Sequence, residues 1–292
     1  MKPARFQYVD PHSVDEAVEF LAARPDEAKV LAGGQSLMPV INMRLARPGY
    51  LVDLSRVDDL DYIGDHNGGV RIGAMTTQRR LLDSPDIAAR CPLMTSALPW
   101  IGHTAIRQRG TLGGSLVHHD PSAELPAVAV ALDAEIVLRG PNGKRTVPAS
   151  EFFVTFFTTT AEPDELLVEV RIPAAPSGTR VATAELARRK GDFALTGIVA
   201  SVGLGSDGAI TSPRMCAFGV DEVPRRLEAC EGLIDGQRLS DELLGEVAQA
   251  ATGAVEPESD MHASADYRRR MTGVLARRAL TEAVSPDTNT EG

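Results

Sequence analysis

The chain has 292 residues, 43% hydrophobic and 24% charged, with 26 Gly and 19 Pro, which is ordinary for a globular protein and excludes collagenous, coiled-coil and disordered chains. Lys and Arg number 30 against 40 Asp and Glu, a net charge of −10 that disfavours a nucleic-acid partner. Cys91, Cys216 and Cys230 are widely spaced and form no CxxC pair, so neither a disulfide framework nor an iron-sulfur or zinc site is expected. Met1–Asp10 lacks an apolar export signal, and no stretch approaches the ~20 apolar residues of a membrane span, so a cytoplasmic location is expected.

Ser13-Val-Asp-Glu16 reads as a capping box, with Ser13 accepting from the third helical amide and Glu16 reaching back to the cap. Val14, Ala17, Val18, Leu21 and Ala22 then form one helical stripe ending near Pro25. The apolar run Lys29–Ala32 predicts a buried strand that breaks at Gly33-Gly34, and Leu37, Val40, Ile41 and Leu45 resume helical spacing. Tyr50–Leu54 is a further strand, which completes a βα-type unit over residues 1–55. Asn67-Gly68 predicts a hairpin between Tyr62-Ile63 and Val70–Ile72. Leu93, Met94, Ala97, Leu98 and Ile101 make a helical face before the glycine turn Arg107-Gln-Arg-Gly-Thr-Leu-Gly-Gly-Ser115. Strands follow at Ala134–Leu138 and Leu166–Ile172, and Pro173–Gly178 reads as a linker. Beyond it, strands at Val181–Ala187, Ile198–Leu204 and Met215–Val220 precede helical faces around Leu243–Ala251 and Met271–Ala279, which predicts a small sheet covered by helices. The end, residues 286–292, is a polar tail.

Two segments carry candidate chemistry. At Leu31-Ala-Gly-Gly-Gln-Ser-Leu37 a strand turns on two glycines into a helix, which is either a plain βα turn or an anion site built from backbone N–H groups. Gly110-Thr-Leu-Gly-Gly-Ser115 repeats the pattern ahead of His118, His119, Asp120-Pro121 and Glu124, and two such turns in different units suit a long ligand gripped from two sides. No GxGxxG follows the first strand, and Gly140-Pro-Asn-Gly-Lys144 has the wrong spacing for a phosphate loop and reads as a hairpin. Adjacent His118 and His119 do not converge on one metal ion. The cluster Arg268, Arg269, Arg270, Arg277 and Arg278 reads as a solvated helix face, and the three cysteines as buried apolar residues.

The ordered motifs Ala32-Gly-Gly-Gln-Ser36, Thr111-Leu-Gly-Gly-Ser115 with Asp120-Pro121, Asp164–Pro173, Arg188-Arg-Lys-Gly-Asp-Phe-Ala194 and Ser264-Ala-Asp-Tyr-Arg268 resemble the FAD-binding medium subunit of molybdenum hydroxylases, the carbon monoxide dehydrogenase and xanthine dehydrogenase family. The resemblance covers nearly the whole chain. It implies an α+β protein: a two-subdomain FAD-binding domain of the PCMH type, residues 1–55 and 56–175, then a small α+β domain over 176–285 with a three-stranded sheet and helices. By position, Lys29, Val30, Leu31, Ala32, Gly33, Gly34, Gln35, Ser36 and Leu37 would wrap the FAD diphosphate, with Ile106, Gly110, Thr111, Gly113, Gly114, Ser115 and Val117 completing the cradle. Glu124 stands where the family commonly places an Asp on the ribityl chain. Leu167 would lie beside the isoalloxazine, with Lys190 and Phe193 at its exposed edge. Gln35 replaces a His that could attach flavin covalently, so noncovalent FAD is expected.

The resemblance implies an electron-transfer oxidoreductase subunit without catalytic or metal-binding residues of its own. A small iron-sulfur subunit and a large molybdopterin subunit would complete a dimer of heterotrimers, and electrons would pass from the clusters to FAD and on to an external acceptor. Two alternatives are a self-contained flavin oxidoreductase of the same fold and a non-redox binding protein that keeps the anion loops.

Overall fold

The computed structural model describes residues 2–285; the expected polar tail, 286–292, lies outside them. Packing divides the chain into two units that interleave along the sequence. The first takes the chain up to Asp86 with His103–His119 and Asp133–Pro173; the second takes Ile87–Gly102, Asp120–Leu132 and the chain from Ala174.

The first unit opens with a parallel sheet of β1 (Gln7–Val9), β2 (Ala28–Leu31) and β3 (Tyr50–Asp53) in the order β1-β3-β2. No alternation announces β1, because its three residues leave two exposed. The helix Val14–Ala22 crosses from β1 to β2 and buries Ala17, Val18 and Leu21 in a core shared with Val52, Leu54 and Val137. Its Ser13 cap accepts from the Glu16 N–H at 3.2 Å, as the spacing predicts. The Glu16 carboxylate, however, takes the N–H of His12 at 2.7 Å, one residue before the cap. The next helix, Leu37–Asn42, buries only Ile41. Leu45, expected on its stripe, is 76% exposed because the helix has ended and Arg44 turns the chain at φ 60°.

A second sheet in this unit contains β4 (Ile63–His66), β5 (Gly69–Gly73), β6 (Glu135–Gly140), β7 (Gly143–Pro148) and the later β10 (Leu166–Ile172) in the antiparallel order β4-β5-β10-β6-β7. Asn67 and Gly68, at φ 52° and 82°, make the predicted hairpin. Gly140 pairs with Gly143, so that glycine-lysine segment is a hairpin turn. A small ribbon, β8 (Phe153–Thr155) and β9 (Thr158–Thr159), completes the unit.

In the second unit β11 (Arg180–Ala187), β12 (Ala194–Leu204), β13 (Ile210–Phe218) and β14 (Arg225–Arg226) form an antiparallel sheet in chain order. The expected three strands thus gain a two-residue edge strand, invisible to apolar alternation because both residues are arginine. Ala182, Ala184 and Ile198 face a core closed by Val247, Leu275 and Ala279 from the helices Asp241–Gly253 and Ala265–Val284. The helices Pro92–Ala97 and Glu124–Ala131 also belong to this unit and pack on its strands, although they precede the linker in sequence. Glu124–Ala131 is buried on every side, so it shows no amphipathic period. Arg268 corrects the reading of its cluster as a solvated face. It is buried, donates to the carbonyls of Leu195 and Gly219, and pairs with Asp260 at 2.7 Å. Arg269 and Arg277 do form surface pairs, with Asp266 and Asp241. The three cysteines are buried free thiols.

Candidate functional site

The first glycine loop leaves β2 at Leu31 and enters its helix at Leu37. Gly34 sits at φ 72°, a conformation that disfavours any side chain. The Gln35 amide folds back and donates to the Gly33 carbonyl at 2.9 Å, so it braces the turn from within. Met38 is the first residue after the turn whose N–H reaches a carbonyl, that of Gly34 at 3.1 Å. Among the described residues, the N–H groups of Gly34, Gln35, Ser36 and Leu37 have no acceptor. Four adjacent unpaired amides make a concentrated positive potential.

The second loop is built differently. Its amides are already committed: Leu112 donates to Thr76 O at 3.0 Å, Gly113 to Ala74 O at 2.9 Å, Gly114 to the Thr111 hydroxyl at 3.1 Å, and Ser115 to Thr111 O at 3.1 Å. The Gln78 N–H in turn holds the Gly110 carbonyl at 2.8 Å. This loop is therefore a wall rather than a second set of free donors. A Cβ on Gly33 would collide with the Arg109 carbonyl and lie 2.8 Å from Gly110 Cα, and a Cβ on Gly114 would lie 3.3 Å from that of Ala32. The glycines at these positions let the two loops touch, a different need from the ligand approach that paired glycines first bring to mind.

Leu31, Gly33, Gly34, Gln35, Met38, Pro39, Ile106 and Arg109 line a cleft of about 370 Å³. The sequence reading anticipates five of these and misses Met38, Pro39 and Arg109. The exposed Arg109 guanidinium has no ion pair or hydrogen bond among the described residues. Its signal in the sequence is its place directly before Gly110, where the chain must press against the first loop. An unpaired cation beside four unpaired amides fits the diphosphate of a dinucleotide.

The other anticipated residues are distributed as follows. Lys29 is exposed on β2, whereas Val30 packs against the core, so only its backbone is available. Val117 is 40% exposed on the helix Leu112–His118. Leu167 is buried on β10 beside a bulge, outside the core cluster that takes Leu166 and Val168. Glu124, Lys190 and Phe193 belong to the second unit. Glu124 opens its helix with its carboxyl pushed up to about 8, by burial first and then by Glu185 and Asp120. Glu185, which no motif indicates, is buried on β11 and pushed up to about 7 by burial. Lys190 is exposed in the turn after β11, and Phe193 is 68% exposed. The imidazoles go to separate partners, His118 against Phe157 and His119 against Phe153 with its Nδ1 3.1 Å from Thr158 O. Among the described residues no group of three His, Cys, Asp or Glu side chains is placed to hold a metal ion, and no helix is long and apolar enough to cross a membrane.

Comparison with known proteins fits this geometry. Residues 4–175 match the family described as the FAD binding domain in molybdopterin dehydrogenase, and residues 182–283 match the CO dehydrogenase flavoprotein C-terminal domain. The chain is 38% identical to the 6-hydroxypseudooxynicotine dehydrogenase complex subunit alpha of Paenarthrobacter nicotinovorans, over 97% of this chain and 96% of that one. It is 39% identical to the carbon monoxide dehydrogenase medium chain of Hydrogenophaga pseudoflava, over 97% and 98%. A solved carbon monoxide dehydrogenase from Hydrogenophaga pseudoflava, lacking the Mo-pyranopterin moiety of its cofactor, superposes with a TM-score of 0.93 at 40% identity, covering 97% of this chain and 98% of that one. With both of its domains matched in order and nearly end to end, the chain belongs to the family of FAD-binding subunits of the molybdenum hydroxylases.

Proposed function

We propose that the chain holds FAD noncovalently and serves as the electron-transfer subunit of a molybdenum hydroxylase, passing electrons from a partner's iron-sulfur clusters to an external acceptor. The observation that carries this is the cleft in which the free amides of Gly34–Leu37 stand beside the unpaired Arg109 guanidinium. There the diphosphate is held by the segment Lys29–Leu37, with Ile106 and Gly110–Val117 as the opposing wall. Gln35 offers no ring nitrogen for covalent attachment, and its amide is already bonded to Gly33. Glu124 takes the ribityl chain, Leu167 lies beside the isoalloxazine, and Lys190 and Phe193 stand at its exposed edge. An exposed phenylalanine of this kind suits screening of a ring system from solvent.

Bound FAD supplies the exchange of single electrons with clusters and of electron pairs with an acceptor. The chain's own residues bind and orient it and limit access to it. A small iron-sulfur subunit and a large molybdopterin subunit complete the enzyme as a dimer of heterotrimers in the cytoplasm, and the large subunit selects the substrate. The test is the absorption spectrum of the purified chain, followed by denaturation and mass identification of any released flavin. Released FAD supports the reading; a colourless chain that fails to bind added FAD refutes it.

A further inference from the structure

The order β1-β3-β2 makes the chain step two strands over and then one strand back, and right-handed crossovers for both steps put their helices on opposite faces. Val14–Ala22 covers the face of Ala28 and Val52, so Leu37–Asn42 lies on the face of Leu51, which is buried outside that core. Tyr8 is the register partner of Leu51 on β1 and points to the same side. There the cover is incomplete: Tyr8 is 56% exposed, with its hydroxyl tied to Asp53 at 2.7 Å.

The helix Leu37–Asn42 ends in a Schellman motif, in which the Arg44 N–H donates to the Ile41 carbonyl at 2.9 Å and the Leu45 N–H to the Val40 carbonyl at 3.0 Å. Such an end usually places glycine where Arg44 stands at φ 60°, and folds the next apolar residue back on the last turn. Leu45 stays out instead, 76% exposed, with Met43 at 52%. The turn is held in place, because Arg44 Nε donates to the Lys2 carbonyl at 3.1 Å and Arg47 Nε to the Arg44 carbonyl at 3.3 Å. A left-handed arginine held so as to display a leucine costs the isolated chain stability that a bound partner can offset.

Exposed cations frame these side chains: Lys2 and Arg5 lead into β1, and Arg44 and Arg47 flank Leu45. Among the described residues none of the four has an ion pair. The neighbouring acids Asp10 and Asp53 are engaged, the first by Arg56 and the second by the Tyr8 hydroxyl and the Ser55 N–H. Glu27, beside Gly49, sets a single carboxylate against the four cations. On a chain of net charge −10 this is a local reversal of sign, and its complement is an acidic surface. Tyr, Met and Arg are also the residue types that protein interfaces favour. A second copy meeting the same patch about a two-fold axis would set cation on cation, and the net charge of the chain opposes an anionic bilayer.

We propose that Tyr8, Met43 and Leu45, within their frame of four cations, are the docking surface for the small iron-sulfur subunit, received by an apolar pocket with an acidic rim. The inference rests on the partner reading above and adds where that partner binds. The helix favours this subunit over the large one. Its first turn lines the flavin cleft through Met38 and Pro39, and Met43 follows its last turn. A helix of this length rises about 9 Å, so a partner seated on its end stands close to the cleft, as the donor of electrons to the flavin must.

The experiment places a photoreactive benzophenone side chain at position 45 of the full chain, expressed in its native host, and identifies the peptides it cross-links in the purified complex. The expected target is an acidic segment of a subunit that binds iron-sulfur clusters. Cross-links to the large subunit, to a second copy or to lipid, or none at all, would overturn the proposal. In parallel, Leu45→Asp and the double change Arg44→Glu with Arg47→Glu should copurify with at least about tenfold less iron per FAD than wild type, whereas Leu45→Met should retain it. These side chains are exposed and lie outside the cleft, so FAD per chain should hold at the wild-type value. A variant that loses FAD as well has lost its fold, and the cross-link then decides. Iron retained in full by both charge variants would overturn the proposal and leave the cofactor and partner readings intact. A wild-type chain that carries FAD but brings down no iron would overturn the partner reading and this inference together.

Discussion

Replacing Gly33 with Ala tests whether contact between the two loops, rather than access for a ligand, is what requires glycine. The added Cβ would meet the Arg109 carbonyl oxygen and lie 2.8 Å from both Arg109 C and Gly110 Cα, where ordinary contact begins at 3.4 Å. All three atoms are backbone, and the segment behind them is fixed by the hydrogen bond from Gln78 N–H to Gly110 O. To clear the carbonyl oxygen the loops must part by about an ångström, an overpacking strain of ~1–3 kcal/mol or more. Strain relieved by turning the Gly34–Leu37 amides away from the cleft appears in cofactor binding, as a Kd raised roughly fivefold to a hundredfold. Flavin-fluorescence titration of the stripped chain measures this, with thermal unfolding to confirm that the variant folds. Gly232→Ala is the control, since a Cβ there meets nothing within 4 Å inside the helix Glu228–Ile234. It should leave Kd unchanged and add about 0.5–1 kcal/mol of stability. A Gly33→Ala variant binding FAD within about twofold of wild type would refute the reasoning.

Gly114→Val should weaken FAD binding at least about tenfold, because its Cβ would displace the Thr111 hydroxyl, 2.7 Å away, which caps the helix, and press on Ala32. Normal affinity would detach the second loop from the site. Phe193→Ala should change stability by no more than about 0.5 kcal/mol, since the ring is exposed, yet alter flavin fluorescence or the rate of reoxidation by oxygen; two unchanged readouts would remove Phe193 from the flavin's surroundings. Arg268→Met should destabilise the second unit by about 2–4 kcal/mol in urea, by stranding the carbonyls of Leu195 and Gly219. Burial opposes ionisation of Asp260, but the Ala263 and His262 amides and Arg268 outweigh it and hold the carboxyl down to about 2. Its contribution is therefore complete above the ordinary Asp range and should be lost as pH falls toward 2, which acid unfolding of wild type and Arg268→Met compares directly. Burial pushes the Cys91 and Cys230 thiols up to about 12 and about 11, and Cys216 higher still, so a thiol reagent should label none of them before unfolding. Rapid labelling of any one would contradict its burial.

The elements legible in the sequence are those whose signal is local. Ser13, Asn67-Gly68 and Gly33-Gly34 each specify a turn or helix start through the conformations of a few adjacent residues, and the structure places each as read, although the Glu16 carboxylate takes the His12 N–H and not that of the cap. The strand β1 and the helix Glu124–Ala131 escape such reading for opposite reasons, since one is too short and exposed to alternate and the other too buried to show a polar face. The two-arginine strand β14 exists only because β13 offers an edge to pair with.

The same division runs through the candidate site. By itself the sequence determined the family and the two glycine loops, since these depend on residue type and order alone. Only the tertiary structure decided that the first loop keeps its amides free while the second has spent them on Ala74, Thr76 and Thr111. It alone placed Arg109 in the cleft and left the Glu185 Oε2 buried without a hydrogen-bond partner. Charge in these positions has no sequence signature, because desolvation and pairing are set by neighbours distant along the chain.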